Sequence, residues 1–162
     1  MSGFAIHHRV EDFQPLVRRL ERMQHLNKQG LLEVIGAELE SQTRRRIQDE
    51  KQSPDGTPWE EWSVTHAATR HSGHSLLQGG GDLLDSVQFV VTGDQVEVGS
   101  NMVYAGVMQD GAKQGEFGRS SRNGPIPWGD IPAREYLGIS DENAADIIAA
   151  ANDWIDAEIG LS

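Results

Sequence analysis

Apolar side chains recur at helical spacing in two stretches near the start of the chain. Residues 13–25 predict a short amphipathic helix, preceded by an arm or a strand over residues 1–12. A longer helix is expected after Gly30, and it ends near Lys51 because Pro54 disfavours the helical conformation in the residue before it. Its apolar stripe consists of Leu31, Leu32, Ile35, Leu39 and Ile47.

An alternation of apolar and polar residues over 88–99 predicts one β-hairpin. Gly93 and Asp94 at its centre form the glycine-first pair of a two-residue turn. A final helix begins at Ser140 or Asp141, since either side chain can cap its first turn. Its apolar face consists of Ala144, Ile147, Ile148, Ala151, Trp154, Ile155 and Ile159. The sequence therefore predicts an α+β fold, with a small antiparallel sheet packed against two main helices.

Less regular segments connect these elements. Residues 83–87 follow a run of three glycines and predict a short helix or an extended turn after a flexible connector, because the run matches no phosphate-binding motif. Residues 102–108 predict a bent strand or a short helix that packs on the hairpin, and 111–129 predict an extended glycine-rich loop. We expect a single domain over 30–162, preceded by an arm and a short helix over 1–29.

Composition narrows the classes of function. The chain has 162 residues, no cysteine and a formal net charge of −11, with the acidic excess placed after residue 50. This charge argues against wrapping nucleic acid, which needs clustered Lys and Arg. The missing cysteines exclude disulfides and thiolate metal sites. Because no apolar run approaches the roughly 20 residues that span a bilayer, we expect a cytosolic product without membrane contact.

Patterns for catalysis and metal binding are weak. His66, His71 and His74 are the best metal candidates, but no carboxylate stands at a recognisable spacing from them, and a polar loop explains them as well. Glu60 and Glu61 stand between two tryptophans like a carbohydrate-cleaving pair. Neighbouring side chains of an extended segment face opposite sides, however, which argues against joint action. The sequence therefore predicts no catalytic residue, no cofactor and no metal site.

The segment SPDGTPWEEWS at 53–63 places two tryptophans in a turn-rich stretch. Its turn residues are Pro54, Asp55 and Gly56, which favour a tight turn. Pro58 stiffens the chain before Trp59, which lowers the entropic cost of burying a large ring. We therefore expect this segment to anchor Trp59 in the core and to leave Trp62 at the surface or in a subunit contact.

Two sets of arginines have alternative interpretations. Arg44, Arg45 and Arg46 lie late in the second helix, where cations stabilise the negative end of the helix dipole. We expect them to cap that helix and to form a solvated face, and contact with an acidic partner is the alternative. Arg134 is expected to pair with a carboxylate inside the subunit, and pairing across subunits is the alternative.

Four motifs follow one another in a fixed order, and they resemble the phage virion morphogenesis family, which includes the tail completion proteins of Mu-like and related tailed phages. The motifs are RRRIQDEKQSPDGTPWEEWS at 44–63, LLQGGGDLLDSV at 76–87, VEVGSNMVYAGVMQDGA at 96–112 and IPAREYLGIS at 131–140. The chain departs from the family at Met108, where histidine is frequent, and in its three adjacent glycines. Besides the turn residues above, the motif positions expected to pack are Tyr104, Ala105, Gln109, Gly111, Pro132, Ala133, Arg134, Tyr136, Leu137 and Gly138.

The resemblance implies a non-enzymatic structural protein of the virion, assembled in the bacterial host cytoplasm. Such proteins act late in assembly, at the head–tail junction or the tail end, and the fold is similar to ring-forming neck and tail-terminator proteins. The implied partners are further copies in a homohexamer, or in a dodecamer, and the neighbouring neck, stopper or tail-tube proteins. Double-stranded DNA would pass through the lumen without specific binding.

The resemblance also directs attention to possible subunit contacts. The loop over 111–129 is expected to act as an arm that orders against a neighbouring copy. The candidate contact residues are Arg44, Arg45, Arg46, Trp62, Lys113, Arg119 and Arg122. Two alternatives remain, a small virion-associated hydrolase and a transient assembly factor that is absent from the mature particle.

Overall fold

A computed structural model describes residues 26–158, and the expectations for residues 1–12, residues 13–25 and Ile159 lie outside this range. One long helix near the start, a hairpin in the middle and a second long helix at the end are joined by short helical turns and loops. The elements are α1 (Lys28–Arg45), a π-helical turn (Arg46–Glu50), α2 (Val64–Ala67), α3 (Asp82–Ser86), β1 (Val87–Thr92), β2 (Gln95–Ser100), α4 (Ala105–Asp110) and α5 (Asp141–Glu158).

Helix α1 begins and ends with side-chain caps. Asn27 accepts a hydrogen bond from the backbone N–H of Gly30 at 3.1 Å, so Gly30 lies in the first helical turn. The expected break at Gly30 is wrong, and the boundary placed between residues 29 and 30 falls inside α1. At the other end, Lys51 adopts a left-handed conformation with φ of 53°, and its ammonium donates to the carbonyls of Ile47 and Leu76. The helix therefore ends where the sequence predicts, but Lys51 provides the cap.

The predicted hairpin is confirmed. Strands β1 and β2 pair antiparallel from Val87 opposite Ser100 to Thr92 opposite Gln95, with Gly93 and Asp94 in the turn. The sheet lies closely on α1. A methyl group added at Gly36 would stand 2.2 Å from a ring carbon of Phe89, so this glycine lets helix and strand approach each other.

Helix α5 packs on α1. Ser140 caps α5 by accepting from the N–H of Asn143 at 3.1 Å, as predicted from the sequence. A small cluster of Leu31, Ala151 and Ile155 joins the two helices. Because the hairpin also packs on α1, the long helix lies between the sheet and α5. The α+β class is confirmed. Of the two main helices expected to pack on the sheet, α1 does so along both strands.

The main core is assembled from segments far apart in the sequence. Seven separate segments each contribute one buried side chain to it, so its residues come together only in the folded chain. Its buried members are Ile47, Trp59, Leu76, Leu83, Val87, Ala105 and Tyr136.

Candidate assembly surface

Residues 131–140, called here the return segment, lie where the motifs singled out in the sequence meet. The side chain of Gln109 in α4 binds this segment as a neighbouring strand would. Its carbonyl oxygen accepts from the N–H groups of Tyr136 and Leu137, both at 3.0 Å, and its amide donates to the carbonyl of Leu137 at 3.2 Å. Gln109 thereby fixes the return segment against α4.

The turn segment, residues 53–63, packs on the other side of the return segment. Trp59 is only 5% exposed, and its indole N–H donates to the carbonyl of Glu135 at 3.3 Å. Asp55 accepts from the N–H of Thr57 at 2.9 Å, a contact that lowers the pKa of Asp55. A methyl group at Gly138 would stand 2.5 Å from Pro54, so the turn rests directly on this glycine.

Arg46 lies inside the subunit, with only 1% of its surface exposed. Its guanidinium donates to the carbonyls of Tyr136 at 2.9 Å and Gly138 at 3.1 Å, and to the side chain of Asn143. Burial lowers the pKa of Arg46. The expected solvated position is wrong for this residue, because the return segment offers it carbonyls that would otherwise lack donors. Arg46 is accordingly withdrawn as a subunit contact.

The other two arginines of this run lie closer to solvent. Arg44 donates to Glu40 at 3.1 Å and to the carbonyl of Val87 at 2.7 Å. Arg45 pairs with Glu50 at 2.8 Å, and this hydrogen bond raises the pKa of Arg45. The three consecutive arginines therefore have three different environments.

Arg134 is also inside the subunit, 6% exposed. Its Nε and Nη2 groups both donate to the backbone carbonyl of Glu60, at 3.1 and 2.9 Å. Burial lowers the pKa of Arg134. The partner is therefore within the subunit, but it is a carbonyl of the turn segment rather than the expected carboxylate.

The remaining motif positions divide between core and surface. Tyr136 is buried, its hydroxyl donates to the carbonyl of Ala105 at 3.4 Å, and burial raises its pKa to about 12. Pro132 and Leu137 are half-buried. Tyr104 and Ala133 are more exposed, and neither belongs to the buried core.

One side of the return segment borders an aromatic cleft of about 800 Å³, which is lined by Trp62, Tyr104, Trp128 and Arg134 among others. Arg70 lies 5.7 Å from the centre of the Trp62 ring and donates to His66 at 2.9 Å. Burial and the nearby Arg70 charge lower the pKa of His66. Trp128 is 79% exposed, so a large apolar ring faces solvent at the rim of this cleft.

A second cleft, of about 870 Å³, lies on the opposite side of the return segment, because Arg134 lines the aromatic cleft and Glu135 lines this one. We call it the acidic cleft. It brings six carboxylates together with only two guanidinium groups, those of Arg45 and Arg46. The carboxylates belong to Glu50, Asp55, Glu135, Asp141, Glu142 and Asp146.

The predicted loop forms a projecting arm, defined here as residues 112–131. Ala112 and Ile131 exchange backbone hydrogen bonds at 2.9 and 2.7 Å at its base, and Ser120 bonds to Gly124 at 2.8 Å at its tip. Lys113 pairs with Asp130 at 3.3 Å. The two limbs thus hold each other, and the arm is more regular than the expected glycine-rich loop.

The three histidines named as metal candidates do not come together. His66 binds Arg70, whereas the rings of His71 and His74 contact each other edge to face at 5.6 Å. Within residues 26–158, no group of three His, Cys, Asp or Glu side chains is placed to hold a metal ion. No helix in this same range is long and apolar enough to cross a membrane.

Two buried polar residues, Gln42 and Asn143, were not predicted from the sequence. Gln42 is buried and donates to Glu38 at 2.9 Å and to the carbonyl of Asn143 at 3.1 Å. Asn143 accepts from Arg46 while its N–H binds the cap of α5. The sequence pattern that could have indicated them is a polar residue on the buried face of each helix, because such a residue is buried only when it is hydrogen-bonded.

The described residues thus combine buried anchors around one return segment with two clefts and an exposed arm. The model of the phage virion morphogenesis family matches residues 9–156, and the chain belongs to this family. No curated protein and no solved structure matches the chain significantly. The family relationship gives the protein a role in building the phage virion.

Proposed function

We propose that the protein is a tail completion protein, which forms a homo-oligomeric ring at the head–tail junction or at the tail end. The observation that carries the proposal is that one subunit presents two chemically unlike clefts on opposite sides of its return segment. A ring requires heterologous contacts, in which one face of a subunit binds a different face of the next. A hexamer is expected from the resemblance, and a dodecamer is the alternative.

The aromatic cleft supports a contact with protein. Trp62, Tyr104 and Trp128 line it, and aromatic side chains are enriched in the centres of protein interfaces. The neighbouring neck, stopper or tail-tube proteins are the proposed partners at this surface. Burying the exposed Trp128 ring there would remove apolar area from water.

The charge of the chain suits a ring around DNA. A net charge of −11 repels phosphate, whereas tight DNA binding needs a surplus of Lys and Arg. Double-stranded DNA would therefore pass through the lumen without specific binding. The assembled ring belongs to the virion, and its assembly takes place in the host cytoplasm.

Electron microscopy of particles made without this protein tests the proposal. We expect separate filled heads and tails, which join when the purified protein is added back. Normal particles that fail to infect would favour a virion-associated hydrolase instead. Mass spectrometry of purified virions adds a second test, because a transient assembly factor would be missing from mature particles whereas a ring subunit would be present.

A further inference from the structure

We propose that the tip of the arm of one copy docks into the acidic cleft of the next copy, and that this is the heterologous contact of the ring. The inference rests on the proposed function, and it names a second copy of the chain as the partner of both the arm and the acidic cleft. It follows from three features of the described chain, namely the isolation of the arm, its charge and the side of the return segment on which it leaves the fold.

The arm has surfaces without a partner. Within the described range, every hydrogen bond of residues 113–130 stays inside the arm. Phe117 and Ile126, which are joined across the two limbs by a backbone hydrogen bond of 2.8 Å, are 53% and 38% exposed. These two side chains are the apolar part of the arm that a neighbouring copy could cover.

The tip of the arm is basic. Arg119 binds only the carbonyl and the side chain of Asn123 in the same turn. Arg122 makes no hydrogen bond or ion pair with any residue in 26–158. The two acidic residues of the arm lie near its base. There the ammonium of Lys113 pairs with Asp130, and the backbone N–H of Lys113 donates to Glu116. Two guanidinium groups are therefore available at the tip.

The acidic cleft has the complementary charge. Among residues 26–158, the carboxylates of Glu135, Asp141 and Glu142 form no ion pair, and Arg45 in the same cleft is engaged with Glu50. Guanidinium groups bind carboxylates with two parallel hydrogen bonds, which fixes orientation as well as charge. Charge complementarity of this kind sets the register of an interface.

No hydrogen bond or ion pair among residues 26–158 joins the arm tip to the acidic cleft of the same chain. Residues 127–130 of the arm line the aromatic cleft, whereas the acidic cleft lies across the return segment. The docking therefore places the tip of one copy in the acidic cleft of another, and the contact joins unlike faces. Such a contact repeats from subunit to subunit until the rotation closes a ring.

Cross-linking provides a direct test, because the chain has no cysteine of its own. Ser121→Cys at the arm tip and Gln52→Cys in the acidic cleft leave every charge of the interface in place. With a short bismaleimide linker, we expect a ladder of covalent oligomers that ends at the ring size. The matched control combines Ser121→Cys with Val90→Cys on the exposed side of β1, and it should give monomers. Equal ladders from both pairs, or no ladder from the first, would overturn the docking.

Charge reversal in the Ser121→Cys, Gln52→Cys protein tests whether the charges of the arm tip and the acidic cleft attract each other or the two sites are merely close together. Arg119→Glu with Arg122→Glu, and separately Glu135→Lys with Asp146→Lys, should each lower the yield about tenfold, because like charges then face each other. All four positions are exposed, so thermal melting should be unchanged. The variant with all four substitutions should recover part of the lost yield, because each reversed charge then has a reversed partner while four carboxylates remain in the cleft. Single-sided variants that link like the parent, or no recovery in the combination, would contradict the proposal.

The docking and the tail completion role fail in different ways. Rings seen on tails by electron microscopy, together with no link between positions 52 and 121, would leave the function and remove this contact. A cross-linked ladder from a protein whose loss leaves normal particles would leave the contact and remove the function.

Discussion

The same dipeptide occurs twice in this chain and has opposite environments. Pro58 and Trp59 lie in the turn segment, and Pro127 and Trp128 lie at the base of the arm. Trp59 is 5% exposed, whereas Trp128 is 79% exposed. Each proline restricts the backbone before its tryptophan equally well, so local stiffness does not explain the difference.

The difference follows from the surroundings of each ring. Trp59 packs with Ile47 and Tyr136 in the main core and donates to the carbonyl of Glu135. The backbone near Trp128 is bound within the arm itself, with its carbonyl accepting from Gln114 at 2.7 Å. Similar sequence patterns therefore give a buried anchor where distant residues provide a core, and an exposed ring where they do not.

The largest expected effect comes from removing the two rings in turn. Trp59→Ala should lower the free energy of unfolding by about 3–5 kcal/mol, because it leaves a cavity in the main core. Trp128→Ala should change it by less than about 0.5 kcal/mol, as for other exposed positions, while it lowers the yield of completed particles. Chemical denaturation measures the first effect and add-back assembly the second. Similar free energies of unfolding for the two variants would show that Trp59 is not a core anchor.

Neighbouring arginines sharpen the contrast between an internal anchor and a surface residue. Arg46→Ala should cost about 3 kcal/mol, because it removes a buried charged donor and leaves the carbonyls of Tyr136 and Gly138 unpaired. Arg45→Ala, its matched control, should cost less than about 1 kcal/mol, as exposed ion pairs do. Urea denaturation of both variants provides the measurement. An equal loss in both would mean that Arg46 is not an anchor.

Alkaline pH offers a further test of the buried side. The folded state raises the pKa of Tyr136 to about 12, so the unfolded chain releases this proton first as the pH rises. The contribution of this group to stability is therefore complete below about pH 10, and it falls by up to about 3 kcal/mol as the pH rises towards 12. Tyr136→Phe removes this contribution. Unfolding curves at pH 9 and pH 11.5 should show a smaller pH-dependent loss in the variant than in the parent, and equal losses would contradict the assignment.

The smallest effect is expected at the junction of the two regions. Gly111 precedes the arm with φ of 74° and ψ of −177°, and a methyl group there would stand 2.6 Å from the carbonyl oxygen of Ile131. Gly111→Ala should therefore cost about 2 kcal/mol of folding free energy, in a backbone region almost restricted to glycine. Gly118→Ala also has positive φ but no atom within 4 Å, and should cost about 1 kcal/mol. Thermal melting of the two variants provides the measurement. A larger loss for Gly118→Ala than for Gly111→Ala would show that the backbone at the base of the arm can move to accommodate the methyl group.

Local patterns carried much of the fold. The C-terminal end of the first long helix, the cap of α5 and the register of the hairpin depend on residues within a few positions of one another, such as Pro54, Ser140 and Gly93. Their geometry is set by backbone sterics and short-range hydrogen bonds. The motifs also led to the family that the match over residues 9–156 establishes.

The environments of the arginines and tryptophans depended on contacts distant in the sequence. Three consecutive arginines look alike in the sequence, yet Arg46 is buried because the return segment, some 90 residues away, offers it carbonyls at 2.9 and 3.1 Å. The two unlike clefts likewise combine residues of the turn segment and the return segment, which are distant in the sequence. The elements and the family could be predicted from the sequence, since both depend on short patterns. Which side chains are buried anchors and which are exposed could not, since burial depends on what the rest of the chain brings to each position.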